Sequence, residues 1–156
     1  MDETALDVLK TALLLERQGK LFYEKVAGQT ASPAVRELFE LLAGEETKHI
    51  EILSAKGGWR TSAETPDTLS AKVLTQEVRR QISAASYEAA AISAAMEMEN
   101  RAVAVYSARA EAAVDPKERE LYRWLTQWER EHQRFLADIN RELLEEIWHD
   151  RGFWPF

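Results

Sequence analysis

The chain has no cysteine among its 156 residues, which excludes disulfides, zinc knuckles and thiolate-bound iron–sulfur centres. Any redox chemistry must run through oxygen and nitrogen ligands. Glycine and proline are scarce, at six and four residues, and hydrophobic residues make up 46%, a mix that suits a helical globule rather than a disordered chain. Basic residues are outnumbered, and the formal charge of −7 argues against a nucleic-acid or anionic-membrane partner, since both would want a basic face. The same acidity suits cations. No apolar run approaches the ~18 residues of a membrane span, and the N-terminal stretch MDETALDVLK is acidic where a signal peptide needs a basic flank. The expectation is a cytoplasmic protein folded as a single domain over residues 1–156.

What the chain does contain is a repeat. A shift of 83 residues lays Glu16 onto Glu99, Glu46 onto Glu129 and His49 onto His132. It also carries Tyr23 onto Tyr106, Pro33 onto Pro116, Arg36-Glu37-Leu38 onto Arg119-Glu120-Leu121, Leu42 onto Leu125 and Leu53 onto Leu136. Two copies of one helical hairpin follow from this self-similarity.

In the first copy, apolar residues recur at Leu6, Leu9, Leu13, Phe22 and Val26, predicting a helix from about Thr4 to Ala27 that stops at Gly28. Ser32-Pro33 reads as an N-cap followed by proline at the first helical position. The second helix runs through Leu38, Leu41, Leu42, Ile50 and Leu53 to Lys56-Gly57-Gly58. Residues 57–68 carry the loop formers and predict a long crossover, followed by a short helix from about Leu69 to Ile82 that covers the bundle or a partner subunit. A third helix is expected from near Ser86 to about Ala112. A capping box at Asp115-Pro116-Lys117-Glu118 then opens a fourth, reaching about Trp148. The aromatic tail from Gly152 to Phe156 is expected to pack on the bundle end or on another subunit, and His149 reads as a helix-end residue. The fold class is therefore all-α: a four-helix bundle of two hairpins joined by a long crossover, with a short extra helix.

A Glu three residues before a His places both side chains on one helix face, about one turn apart, so both can reach the same ion. Glu46 with His49, and Glu129 with His132, meet this condition, and Glu16 and Glu99 add one carboxylate from each remaining helix. Four carboxylates neutralise two divalent ions while both imidazoles bind neutral. Without metal, such a cluster must take up protons or destabilise the fold. Glu46 and Glu129 suit bridging positions, and Glu16 and Glu99 terminal ones. A solvated face with incidental histidines is the bland alternative, and the common offset of all six residues makes coincidence a poor explanation of the set. One turn after each lone glutamate sits a small residue, Gly19 or Ala102, leaving room for dioxygen or peroxide. Tyr23 and Tyr106 lie two turns along the same faces, where they suit either a hydrogen bond to a ligand carboxylate or plain core packing. Trp124 and Trp128 have spacing that fits core or rim packing better than electron relay.

The segments Leu15-Glu-Arg-Gln-Gly-Lys-Leu-Phe-Tyr23, Glu45-Glu-Thr-Lys-His49, Met98-Glu-Asn-Arg-Ala-Val-Ala-Val-Tyr106 and Glu129-Arg-Glu-His132 resemble the rubrerythrin-like branch of the ferritin-like superfamily, over nearly the whole chain. The resemblance implies a ferritin-like di-iron bundle, often a homodimer, that reacts Fe(II) with hydrogen peroxide or dioxygen. It carries over the same six ligands. Two departures stand out. A typical rubrerythrin adds a four-cysteine rubredoxin-like domain, for which this sequence has neither cysteine nor room, so an external donor must supply electrons. It also places an extra glutamate one turn before the third-helix ligand, where this chain has Met96. Glu97 points roughly 160° away from Glu99 around the helix.

Three functions are consistent with these features. The leading one is a di-metal oxidoreductase with two iron ions per chain, although the ligand set also accepts manganese or zinc. Ferroxidation followed by iron storage or delivery is the second, and a helical scaffold with a purely structural metal is the third.

Overall fold

The structure is a computed structural model that describes residues 2–55, 59, 61, 76–83 and 86–150, with backbone alone over 146–150. Four long helices dominate it: α1 (Glu3–Gln29), α2 (Pro33–Ser54), α3 (Tyr87–Ala112) and α4 (Pro116–Asp150). Each starts on a side chain that accepts an otherwise unpaired backbone N–H. Asp2 accepts from Ala5 at 2.6 Å, Ser32 from Val35 at 3.3 Å, Ser86 from Ala89 at 3.2 Å and Asp115 from Lys117 at 2.8 Å. The all-α, ferritin-like bundle expected from the sequence is the fold observed.

Local details differ from the sequence reading in four places. Gly28 does not stop the first helix; it lies inside α1, and the C-cap is Thr30, whose N–H bonds the Val26 carbonyl. Leu6 and Leu41 are 42% and 40% exposed. In their place, the deepest face of α1 is built from Ala5, Ala12, Glu16, Gly19 and Tyr23. Glu118 does not complete a capping box, because its carboxylate turns inward to the Arg109 guanidinium, 2.5 Å away. Of the short crossover helix, residues 76–81 are helical, whereas Val73 and Leu74, the rest of the crossover apart from Trp59 and Thr61, the side chain of His149 and the aromatic tail lie outside the described residues.

The repeat is visible in atomic detail at the two hairpin turns. Arg36 donates to the Thr30 carbonyl at 3.0 Å, and its repeat mate Arg119 donates to the carbonyl of Ala113, the mate of Thr30, at 2.8 Å. With three-residue turns closed in this way, α1 packs antiparallel on α2 and α3 on α4. Between hairpins the close packing is of α1 on α3. Small side chains at Ala12, Gly19, Ala95 and Ala102 permit that approach, and the bulkier His49, Trp124, Trp128 and His132 fill the space between α2 and α4. The segment 76–81 covers one end of the bundle: Val78 is fully buried, and Gln81 accepts from Ser32 and from the Ala34 N–H.

Two apolar clusters result, one around Tyr23, Leu38, Phe39 and Leu136, the other around Tyr106, Leu121, Tyr122 and Leu53. The repeat exchanges them, and each holds an aromatic pair at matching positions: Tyr23 beside Phe39 at 5.6 Å, and Tyr106 beside Tyr122 at 6.0 Å. A layer of buried carboxylates and imidazoles belongs to neither cluster.

Candidate metal centre

That layer consists of Glu16, Glu46, His49, Glu99, Glu129 and His132, none more than 3% exposed. All six sequence-predicted ligands are therefore brought to one place. His49 Nδ1 lies 3.0 Å from Glu129, 3.1 Å from Glu16 and 3.4 Å from Glu46. His132 Nδ1 lies 3.2 Å from Glu129, 3.3 Å from Glu99 and 3.9 Å from Glu46. Glu46 and Glu129 thus belong to both groups, and Glu16 and Glu99 to one each. The two imidazole rings are nearly parallel, 6.2 Å apart.

Hydrogen bonding does not explain this convergence. A single imidazole nitrogen carries one proton or one lone pair, so it serves one partner, yet three carboxylates converge on each Nδ1. Correspondingly, Glu46 Oε2, Glu129 Oε1 and His132 Nδ1 are buried without a hydrogen-bond partner. Buried polar atoms left in this state are costly, and a cation between them removes the cost. The donor set divides into two groups able to hold a metal ion: Glu16, Glu46, His49 and Glu129, and Glu46, Glu99, Glu129 and His132. Oxygen and imidazole donors fit first-row divalent metals such as iron or manganese.

The electrostatics of the metal-free cluster point the same way. Burial, followed by the charge of Glu129, raises Glu99 to about 8. Burial, then Glu129 and Glu16, pushes Glu46 well above the usual carboxylate range. For Glu129, burial is outweighed by the neighbouring Glu99 carboxyl and by the charge of His132, and its pKa falls well below that range. Burial opposes protonation of the two histidines, but the carboxylates around them outweigh it and raise both. In the absence of metal, protons take the place of the missing positive charge.

Outside the six, Tyr23 and Tyr106 resolve to the hydrogen-bonding alternative, and do so across the repeat. Tyr23 of the first hairpin donates to Glu99 of the second, and Tyr106 of the second donates to Glu16 of the first. Burial and the nearby carboxylates raise both phenols well above their ordinary value, so they stay protonated donors. The family model for Rubrerythrin matches residues 7–140, which take in every residue of this centre.

The chain belongs to the rubrerythrin family. Comparison with curated proteins and with solved structures yields no match. Family membership accounts for the ferritin-like bundle and for a buried carboxylate–histidine centre able to hold metal. Two further features bear on the centre of this rubrerythrin-family chain. Met96 packs against the first apolar cluster and Glu97 faces solvent, so neither extends the centre. A cavity of about 20 Å³ lies between α1 and α3, bounded by Gly19, Ala102, Glu46 and Glu129, with Gln18 and its repeat mate Arg101 among its lining. It is large enough for one water-sized molecule.

One contact of the centre has no counterpart in the sequence reading. Glu45 Oε2 pairs with Nε2 of His132, the ring nitrogen facing away from the carboxylates. The available signal was its place one residue before Glu46, about 100° round the helix, which turns it from the centre toward α4.

No helix among the described residues is long and apolar enough to cross a membrane.

Proposed function

We propose that the chain is a di-iron oxidoreductase that oxidises Fe(II) with hydrogen peroxide or dioxygen, drawing electrons from an external donor. The observation that carries this reading is the pair of four-residue groups sharing Glu46 and Glu129, beside a cavity of small-molecule size. When bound, the metal pair supplies two electrons, one per ion, to a peroxide that takes up two protons and leaves as two waters.

The chain's own residues hold and shield that site. Tyr23 and Tyr106 fix the terminal carboxylates Glu99 and Glu16 from opposite hairpins, limiting their swing when the charge on the metals changes. Gly19 and Ala102 keep one face open to a small oxidant, and the apolar clusters at either side exclude bulk water. Six buried side chains on four helices are positioned by packing before any ion binds, as a reactive centre requires.

A homodimer is part of the same reading, supported by the outward face of α1, where Leu14 and Leu21 are 56% and 66% exposed. A cytoplasmic setting, without nucleic-acid or membrane partners, is the setting we propose, supported by the net charge of −7.

The test is single-turnover oxidation. Protein loaded with Fe(II) without oxygen and then mixed with one equivalent of peroxide should develop ferric near-ultraviolet absorption faster than free Fe(II). Metal retention with no acceleration by peroxide or dioxygen would point to a structural metal instead.

A further inference from the structure

The inner ligands obey the repeat, but the groups behind the two histidines do not. Behind His132, Nε2 is paired with the carboxylate of Glu45. A shift of 83 residues from Glu45 arrives at Trp128, so the corresponding position behind His49 is an indole. The ring of Trp128 stands edge-on to His49 at 5.6 Å, and Trp124 does so at 5.5 Å. Neither supplies an acceptor: His49 Nε2 is buried without a hydrogen-bond partner, as is Trp128 Nε1. His49, itself only 1% exposed, also lines a cavity of about 310 Å³ with Glu45, Lys48, Ile52 and the two tryptophans, which His132 does not line.

A carboxylate that accepts from the outer N–H of a metal-bound imidazole fixes the ring's tautomer and orientation and makes the inner nitrogen a better donor. Only one of the two half-sites has that support. We infer that the centre is functionally unequal: the half-site of His132, positioned by Glu45, binds its metal first and tightly, and the half-site of His49 is the exchangeable one. The inference rests on the metal-binding part of the proposed function, and Glu45 acts in it as a positioning residue through His132.

The experiment is a Co(II) titration of the full chain against a competing chelator, followed by visible absorption and circular dichroism, which needs no turnover. The parent protein should bind in two steps of different affinity. His49→Ala should keep the tight step, and His132→Ala should lose it. Glu45→Gln should weaken the tight step about 10- to 100-fold and leave the weaker one nearly unchanged, with Glu45→Asp recovering part of the loss. Two equal sites, a tight step that follows His49, or a Glu45→Gln variant identical to the parent would each overturn the inference while leaving the proposed function intact. Absence of any Co(II) binding in the parent would overturn both. Glu45 is partly exposed, so the glutamine variant should retain parental helicity; if it does not, the comparison of His49→Ala with His132→Ala decides the question alone.

Discussion

Tyr23, on α1 of the first hairpin, donates its hydroxyl to the carboxylate of Glu99, on α3 of the second. The mate of this bond, Tyr106 to Glu16, runs the opposite way. The tyrosines therefore stitch the two repeats together through the layer of buried carboxylates, and each hairpin orients a carboxylate of the other. Replacing Tyr23 or Tyr106 with Phe should lower metal affinity about tenfold while leaving the helical content unchanged. Chelator competition on each variant measures this. Affinities equal to the parent would assign the tyrosines to core packing alone.

Metal-free protein should lose stability as the pH rises. With Glu99 raised to about 8 from an ordinary 4.5, the folded chain holds a proton that the unfolded chain releases. Glu46 is displaced in the same direction. The Glu99 contribution is fully present below about 4.5 and is lost as the pH rises through about 8, and that of Glu46 is likewise lost only well above its ordinary 4.5. The raised histidines act in the same sense, contributing fully below their ordinary 6.5 and losing that contribution at higher pH. Glu129 is lowered and opposes them only in acid, where its contribution disappears as the pH falls below its ordinary 4.5. From pH 5 to 9 the Tm of metal-free protein should fall by an amount on the order of 2 kcal/mol of stability or more, several degrees for a chain of this size. Metal-loaded protein should stay nearly flat over that range.

Much of this arrangement was legible in the sequence because it depends on periodicity and types of residue. Ser32, Ser86 and Asp115 announce helix starts, and Glu46 and His49 three residues apart announce a shared face. What the sequence concealed depends on choices between partners. Gly28 suits a helix end, but the Thr30 cap and the reach of Arg36 carry α1 two residues further. Glu118 has the spacing of a capping residue, but a buried Arg109 within reach is the stronger attraction. Tyr23 could be placed on the metal-facing side of α1, but which carboxylate it meets depends on how the hairpins cross. Glu45 looked like one more acidic residue because its partner, His132, is 87 residues away.

The buried Arg109–Glu118 pair occupies the positions that the first repeat fills with Val26 and Val35, both buried in the first apolar cluster. Breaking the pair with Arg109→Val alone leaves a carboxylate at 3% exposure without its cation, and should cost about 3 kcal/mol. The double variant Arg109→Val with Glu118→Val copies the first repeat and should recover most or all of that loss. Urea unfolding of the three proteins checks this, and a double variant as unstable as the single would show that the ion pair itself is needed.

Gly19 offers a graded probe of the open face. A Cβ built there would lie 3.4 Å from Glu46 Oε1, an ordinary contact, and the second repeat already carries Ala102 at the matching place. Gly19→Ala should therefore bind metal normally and gain up to about 1 kcal/mol from helix propensity. Gly19→Val, with two more carbons aimed at the cavity of about 20 Å³, should displace Glu46 and slow oxidation by peroxide at least several-fold. Equal oxidation rates in the two variants would place the oxidant elsewhere.

The most direct test is metal content per chain, measured by elemental analysis on protein purified without added metal and again after anaerobic reconstitution with Fe(II). The shared-carboxylate geometry of Glu46 and Glu129 predicts about two ions per chain after reconstitution. Glu46→Ala or Glu129→Ala should lower occupancy at both positions. Protein that binds no metal in either preparation would contradict a metal centre in this layer.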